Sequence, residues 1–278
     1  MSGDGRDRPV AGAERSVEGR RAPVAGAERS LEGRHALVTG AGRGLGRGAA
    51  LALAEAGAAV TLVSRTKAEL MGVAVEIEAA GGRAWIQVAD VRREEQVERV
   101  AADADAGPVP VSILVTAAGL NRPGPTADYP TDDWDVLMDV NLRGTFLACR
   151  AVGRRLLARG ASGRIVTVSS QMGVVGYPGR AAYCASKHAV NGLTKALAVE
   201  WAPHGIGVNA VAPTFVRTPM TEPMLADPAF AAEVRRRLPG GEIATVEDVA
   251  AAIVYLASDR ARSVTGHILA VDGGWTAW

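Results

Sequence analysis

Seven short apolar runs rich in Val and Ile alternate with longer stretches of helical periodicity, and this alternation restricts the fold more than any other feature of the chain. The runs are His35–Gly40, Ala59–Ser64, Ala84–Ala89, Val111–Thr116, Arg164–Ser170, Ile206–Ala212 and His267–Val271. Helical spacing marks Gly44–Ala56, Lys67–Ala80, Glu94–Ala106, Trp134–Ala158, Ala181–Trp201 and Val246–Ala257. Strands that are apolar at nearly every residue must be covered on both faces. Helices between them supply the crossovers a parallel sheet requires. A doubly wound open sheet and an eight-stranded α/β barrel both satisfy this pattern.

The first strand–helix turn separates them. Thr39-Gly40-Ala41-Gly42-Arg43-Gly44-Leu45-Gly46 follows a strand and opens a helix. Glycines let a backbone turn tightly and approach a phosphate, and the helix behind offers free N–H groups and the positive end of its dipole. The spacing is T-G-x-x-x-G-x-G rather than strict G-x-G-x-x-G, with Gly40, Gly44, Leu45 and Gly46 as expected pyrophosphate contacts. An NAD site carries an acid about 20 residues past such a loop, where it binds the ribose 2′-hydroxyl. Here the second strand ends in Ser64 and Arg65. A missing carboxylate removes repulsion of a 2′-phosphate, and Arg65 with Arg43 supplies forked, charge-assisted donors for it. The expected cofactor is NADP(H) in preference to NAD(H).

Three of the 31 basic residues are lysines, and one of them, Lys187, stands four residues after Tyr183. Four Tyr and three Lys in 278 residues make a chance Tyr-x-x-x-Lys expected about 4 × 3/278, or 0.04, times. Positions i and i+4 share a helix face, and an adjacent ammonium favours phenolate. Thirteen residues earlier, Ser170 closes the fifth strand, at the sheet edge where open α/β folds bind ligands. No G-x-S-x-G elbow exists, so Ser170 reads as a hydrogen-bond donor rather than a nucleophile. Asn141, with Gly144 close by, interrupts a long predicted helix at 132–159 that neither residue favours.

Taken in order, the glycine turn, Asp90-Val91, Asn141, Ser170, Tyr183-x-x-x-Lys187 and Val271-Asp272-Gly273-Gly274 resemble the short-chain dehydrogenase/reductase family over about residues 31–278. The 3-oxoacyl-carrier-protein reductases and ketoreductases of that family are the nearest in kind. The resemblance implies a Rossmann-type, doubly wound sheet of seven parallel strands, ordered 3-2-1-4-5-6-7 with helices on both faces. It implies hydride transfer between NADP(H) and a ketone or secondary alcohol. Tyr183 would be the acid/base, and Lys187 would hold the nicotinamide ribose and lower the Tyr183 pKa. Ser170 would polarise the carbonyl, and Asn141 would hold a water of a proton relay. Asp90 and Val91 would flank adenine, with Gly119, Pro213, Val216 and Thr218 completing the cofactor contacts. Two departures stand out: Thr116-Ala117-Ala118-Gly119 replaces N-N-A-G, and Thr214 replaces the glycine after Pro213. The segment 218–236 resembles the family's lid. Gln171, Met172, Tyr177, Phe215, Met220 and Met224 are the expected substrate pocket, its methionines suggesting an adaptable lining rather than one specific for sugar hydroxyls. A homotetramer built on helices 132–159 and 181–204 is implied by the same analogy.

Residues 9–20 and 23–34 are a tandem copy differing only at Val17 and Leu31. The first 30 residues hold no aromatic residue and too little apolar mass to offset ordering entropy, so a disordered tail ahead of a single domain at 31–278 is expected. A net charge of +1 leaves no footprint for nucleic acid, and no apolar run reaches the ~18 residues of a membrane span. Two cysteines without a partnering His cluster point to a reducing, cytoplasmic setting and to no metal site. Two readings compete with the enzyme: a dinucleotide-binding regulator without turnover, and an epimerase or dehydratase that retains its cofactor.

Overall fold

The structure, a computed structural model, describes residues 30–277, so all but the last residue of the predicted tail lies outside the described residues. Seven strands, β1 (His35–Thr39), β2 (Ala59–Ser64), β3 (Arg83–Val88), β4 (Ile113–Thr116), β5 (Gly163–Val168), β6 (Ile206–Pro213) and β7 (Ile268–Val271), form one sheet in the order 3-2-1-4-5-6-7. Every strand pair is parallel.

Nine helices accompany them: α1 (Gly44–Glu55), α2 (Lys67–Ala79), α3 (Glu94–Asp105), α4 (Thr131–Met138), α5 (Gly144–Arg159), α6 (Ala181–Trp201), α7 (Glu222–Leu225), α8 (Pro228–Arg236) and α9 (Val246–Ala257). The side-chain period of 2 sends alternate strand residues to opposite faces. Ala36 and Val38 of β1 pack with Leu53 of α1, Leu70 of α2 and Ile253 of α9. Leu37, on the other face, packs with Val100 of α3, Val152 of α5 and Leu197 of α6. Both faces of the sheet are therefore dry, which is why its strands read as unbroken apolar runs rather than as alternating ones.

Helix starts are built differently according to their task. α9 opens with a capping box, Thr245 Oγ1 accepting from the Asp248 N–H while the Asp248 carboxylate accepts from the Thr245 N–H. α1 has no side-chain cap and no acid in its first turn, so its N–H groups and dipole stay open to an outside anion.

The helix predicted over 134–158 is two helices. A π-helical turn, Asp139–Arg143, joins α4 to α5 and holds Asn141. Gly144 follows it against Val91, where a Cβ would lie 2.8 Å from Val91 Cγ2. The segment 218–236 contains α7 and α8, whose short, proline-led turns carried too little periodicity to be predicted.

Candidate active site

Strand order reverses between β1 and β4, and the crevice outside a sheet at such a reversal is where open α/β folds bind ligands. A cleft of about 500 Å³ lies there. All fifteen residues expected to touch a dinucleotide line it, from Gly40 and Arg43 at one end to Lys187, Pro213, Val216 and Thr218 at the other. Tyr183 is one of the fifteen, and Ser170 lines the cleft as well. Asn141 does not: it is fully buried behind the wall.

The glycine turn is shaped by contact rather than by flexibility. Gly40 has φ +70°, and a Cβ there would sit 2.7 Å from Ala118 N. A Cβ on Gly46 would sit 2.2 Å from Gly40 O. The loop, α1 and the segment after β4 thus meet backbone to backbone. Small Ala117 and Ala118 suit that approach, while Thr116 takes a buried place with its hydroxyl unpartnered. An uncapped helix end behind a loop too close for side chains fits a pyrophosphate.

Tyr183 and Lys187 occupy the first two turns of α6 on one face, with Lys187 Nζ 5.6 Å from the Tyr183 ring centroid. Lys187 Nζ donates to the Val168 carbonyl at 2.8 Å. Burial pushes the ammonium down to about 8. Burial also pushes the Tyr183 phenol up to about 12, opposed by a hydrogen bond with Ser170 and by the positive charge of Arg180. Ser170 is the larger of those two opposing influences, and Lys187 Nζ, over the Tyr183 ring, turns to the β5 carbonyl. Ser170 Oγ also accepts from the Met172 N–H, which fixes its rotamer.

Asn141 acts as a clamp. Its Nδ2 donates to the Leu120 carbonyl at 2.9 Å and to Ser186 Oγ at 3.1 Å, and its Oδ1 accepts from the Leu120 N–H at 2.9 Å. Its own carbonyl accepts from Thr145 Oγ1 at 2.8 Å. A Cβ on Gly119 would lie 3.4 Å from Asn141 Oδ1 and 3.8 Å from Lys187 Nζ, so glycine lets the three approach.

At the other end, Arg43 and Arg65 are exposed. Arg43 stands 3.9 Å from Glu69, a cleft residue that sequence reading missed. Its position in the first turn of α2 was the available signal. Asp90 is tied to Arg92 through both carboxylate oxygens, and that hydrogen bond holds its pKa below the usual carboxylate range.

The expected substrate pocket divides. Met220 lines the cleft. Met172 and Phe215 are buried in a separate cluster with Leu225, Val234, Leu238 and Trp275, against which Tyr177 and Met224 pack. Phe215 sits edge-on to Phe230 at 5.4 Å and to Tyr177 at 5.8 Å. Of the six expected pocket residues, Met172 and Phe215 are buried in this packed cluster and Met224 is held by Arg180. Gln171 is buried with both ends of its amide unpartnered. Thr214 lines the cleft with its hydroxyl unpartnered, as the substitution after Pro213 suggests.

Fold and cleft together define a dinucleotide-dependent oxidoreductase, and comparison with known proteins narrows that class. The family model adh_short_C2, described as enoyl-(acyl carrier protein) reductase, matches residues 40–276. Galactitol 2-dehydrogenase (L-tagatose-forming) of Cereibacter sphaeroides is 44% identical over 237 residues, 84% of this chain and 92% of that one. NAD-dependent glycerol dehydrogenase of Listeria innocua is 36% identical over 233 residues, 84% of this chain and 90% of that one. A crystal structure of a gluconate 5-dehydrogenase from Burkholderia cenocepacia, in complex with NADP and tartrate, superposes with TM-score 0.87 at 37% identity, covering 91% of this chain and 99% of that one. The chain belongs to the short-chain dehydrogenase/reductase family. It is an oxidoreductase of secondary alcohols and ketones, in line with these relatives rather than with a regulator or an epimerase.

Proposed function

We propose that this chain interconverts a secondary alcohol and a ketone on a small polyhydroxylated substrate, with NADP(H) as hydride carrier and Tyr183 as acid/base. The convergence of Ser170, Tyr183 and Lys187 on the cleft that begins at the glycine turn carries this reading. When bound, the nicotinamide supplies or accepts the hydride. The protein supplies geometry and a proton route. Ser170 holds the substrate oxygen beside the Tyr183 hydroxyl. In oxidation Tyr183 takes the alcohol proton, and in reduction it gives one to the forming alkoxide. Lys187 binds ribose and exchanges protons with a water that Asn141 would hold. The relatives' substrates, galactitol, glycerol and gluconate, support a polyol or its acid. A homotetramer in the cytoplasm completes the proposal. Among the described residues no helix is long and apolar enough to cross a membrane, and both cysteines are free.

The test is a panel of polyols, aldonates and their ketones followed by NADPH absorbance. Turnover of at least one pair is expected. A protein that binds NADPH yet turns over nothing in the panel would be the regulator instead.

Cofactor preference has its own test. Ser64 and Arg65 replace an acid, which favours a 2′-phosphate, while Glu69 opposes it and draws Arg43 aside. Arg65→Ala is expected to lower the NADP(H)/NAD(H) ratio of kcat/KM by about tenfold or more, as for loss of one charge-assisted contact. Glu69→Gln is expected to raise it. An unchanged ratio in Arg65→Ala would remove the assignment.

A further inference from the structure

Among the described residues Arg180 has no ion-pair partner. Its backbone caps α6, and its side chain is 8% exposed. Nη1 donates to the adjacent Gly179 carbonyl at 3.2 Å, Nη2 points at Met224 Sδ at 2.9 Å, and Nε has no partner. A thioether is a weak acceptor, so five guanidinium donors are met by one carbonyl and one soft sulfur. Among the described residues no carboxylate forms an ion pair with it. Burying an unpaired cation is costly, and desolvation accordingly drives its pKa down. The groups that act on its charge are three phenols and a thiol, Tyr177, Cys184, Tyr183 and Tyr129.

Position gives this charge a direction. Arg180, Tyr183 and Lys187 lie at i, i+3 and i+7, one stripe of one helix. Met224 belongs to α7 of the lid, so the guanidinium sits between the lid and the acid/base tyrosine. α6 runs 21 residues with no side-chain cap and no acid in its first turn, which adds the positive end of a long dipole to the same spot.

We propose that Arg180 is the recognition site for an anionic substituent of the substrate, a carboxylate, displacing Met224 Sδ and pairing with the free guanidinium edge while the alcohol to be oxidised lies at Tyr183. The inference rests on the function proposed above and narrows its substrate from polyols in general to polyhydroxy acids. Arg180 donates and accepts no transferred proton; its charge lowers the Tyr183 pKa for every substrate alike, which is the small loss shared by both substrates in the test below. Neutral polyols bind at Ser170 and Tyr183 and leave the guanidinium on Met224 Sδ.

The test compares kcat/KM for D-gluconate and galactitol with NADP+ in wild type, Arg180→Met and Arg180→Lys. Wild type is expected to favour gluconate. Arg180→Met is expected to lose about 100-fold on gluconate, mostly in KM, and to lose no more than severalfold on galactitol. Arg180→Lys should restore only part, because an ammonium lacks the fork. Equal losses on both substrates, or no loss on gluconate, would overturn the proposal. Calorimetry with malonate, a dicarboxylate without a hydroxyl, supplies a readout free of turnover: the NADP+-loaded wild type should bind it and Arg180→Met should not. Malonate binding that survives Arg180→Met would also overturn it. A wild type that binds malonate through Arg180 yet oxidises neither alcohol would overturn the function proposed above and leave the anion site standing.

Discussion

Tyr183→Phe is expected to lower kcat by about 10³-fold in both directions, within the range general acid–base catalysis supplies, while NADPH still binds. The ring remains to pack against the cluster under the lid, so thermal stability should change little. Only the hydroxyl that faces Ser170 is lost. The direction of the pH profile follows from the same group. Oxidation needs phenolate, so its kcat/KM should rise with pH toward the high pKa that burial imposes on Tyr183, about 12 before ligands bind. Reduction needs the phenol, so its rate should stay flat through neutrality and fall only at alkaline pH. Ser170→Ala removes the largest opposing influence and should move the oxidation limb to still higher pH. Stopped-flow measurement of NADPH absorbance in each direction reads both effects. A Tyr183→Phe protein as active as wild type would end the mechanism.

Gly46→Ala is expected to destabilise by about 3–5 kcal/mol, in the range of severe overpacking, and to lower Tm by roughly 10 °C. One methyl would lie 2.2 Å from Gly40 O and 2.7 Å from Gly40 C. Those atoms are backbone in the turn that leaves β1, so no rotamer change relieves the clash. α1 must withdraw from β1, and Leu53 and Ala50 lose part of their packing against the sheet. NADPH affinity should fall with stability, since the same turn would hold the pyrophosphate. Gly72→Ala is the control. It is exposed within α2, a Cβ there meets no heavy atom within 4 Å, and the change should stabilise by about 0.5–1 kcal/mol. Thermal melts that show equal shifts for the two variants would refute the contact account.

Residues that act through local spacing were legible. Tyr183 and Lys187 meet because a helix brings i and i+4 together, and Gly40 and Gly46 announce a tight strand–helix turn. Asn141 was legible as an irregularity, but its role as a clamp on Leu120 was not, because Leu120 is 21 residues away in sequence. Glu69 escaped notice since a first-turn acid is ordinary helix chemistry until the fold places it beside Arg43. The six pocket candidates were chosen by type and position. Only packing distinguishes Met220, in the cleft, from Met172, in the floor. Arg180 is one of many arginines in the sequence, and only the fold sets it among phenols and beside Met224.

By itself the sequence determined a parallel α/β sheet, the dinucleotide turn and the Tyr–Lys pair, because periodicity, turn stereochemistry and helix geometry are local and repeat within a few residues. Tertiary structure alone decided which side chains share the cleft, that Lys187 turns to the Val168 carbonyl, and that Arg180 is buried with its Nε unpartnered. Those outcomes depend on desolvation and on contacts between segments tens of residues apart, and neither is written in the spacing of a single stretch of chain.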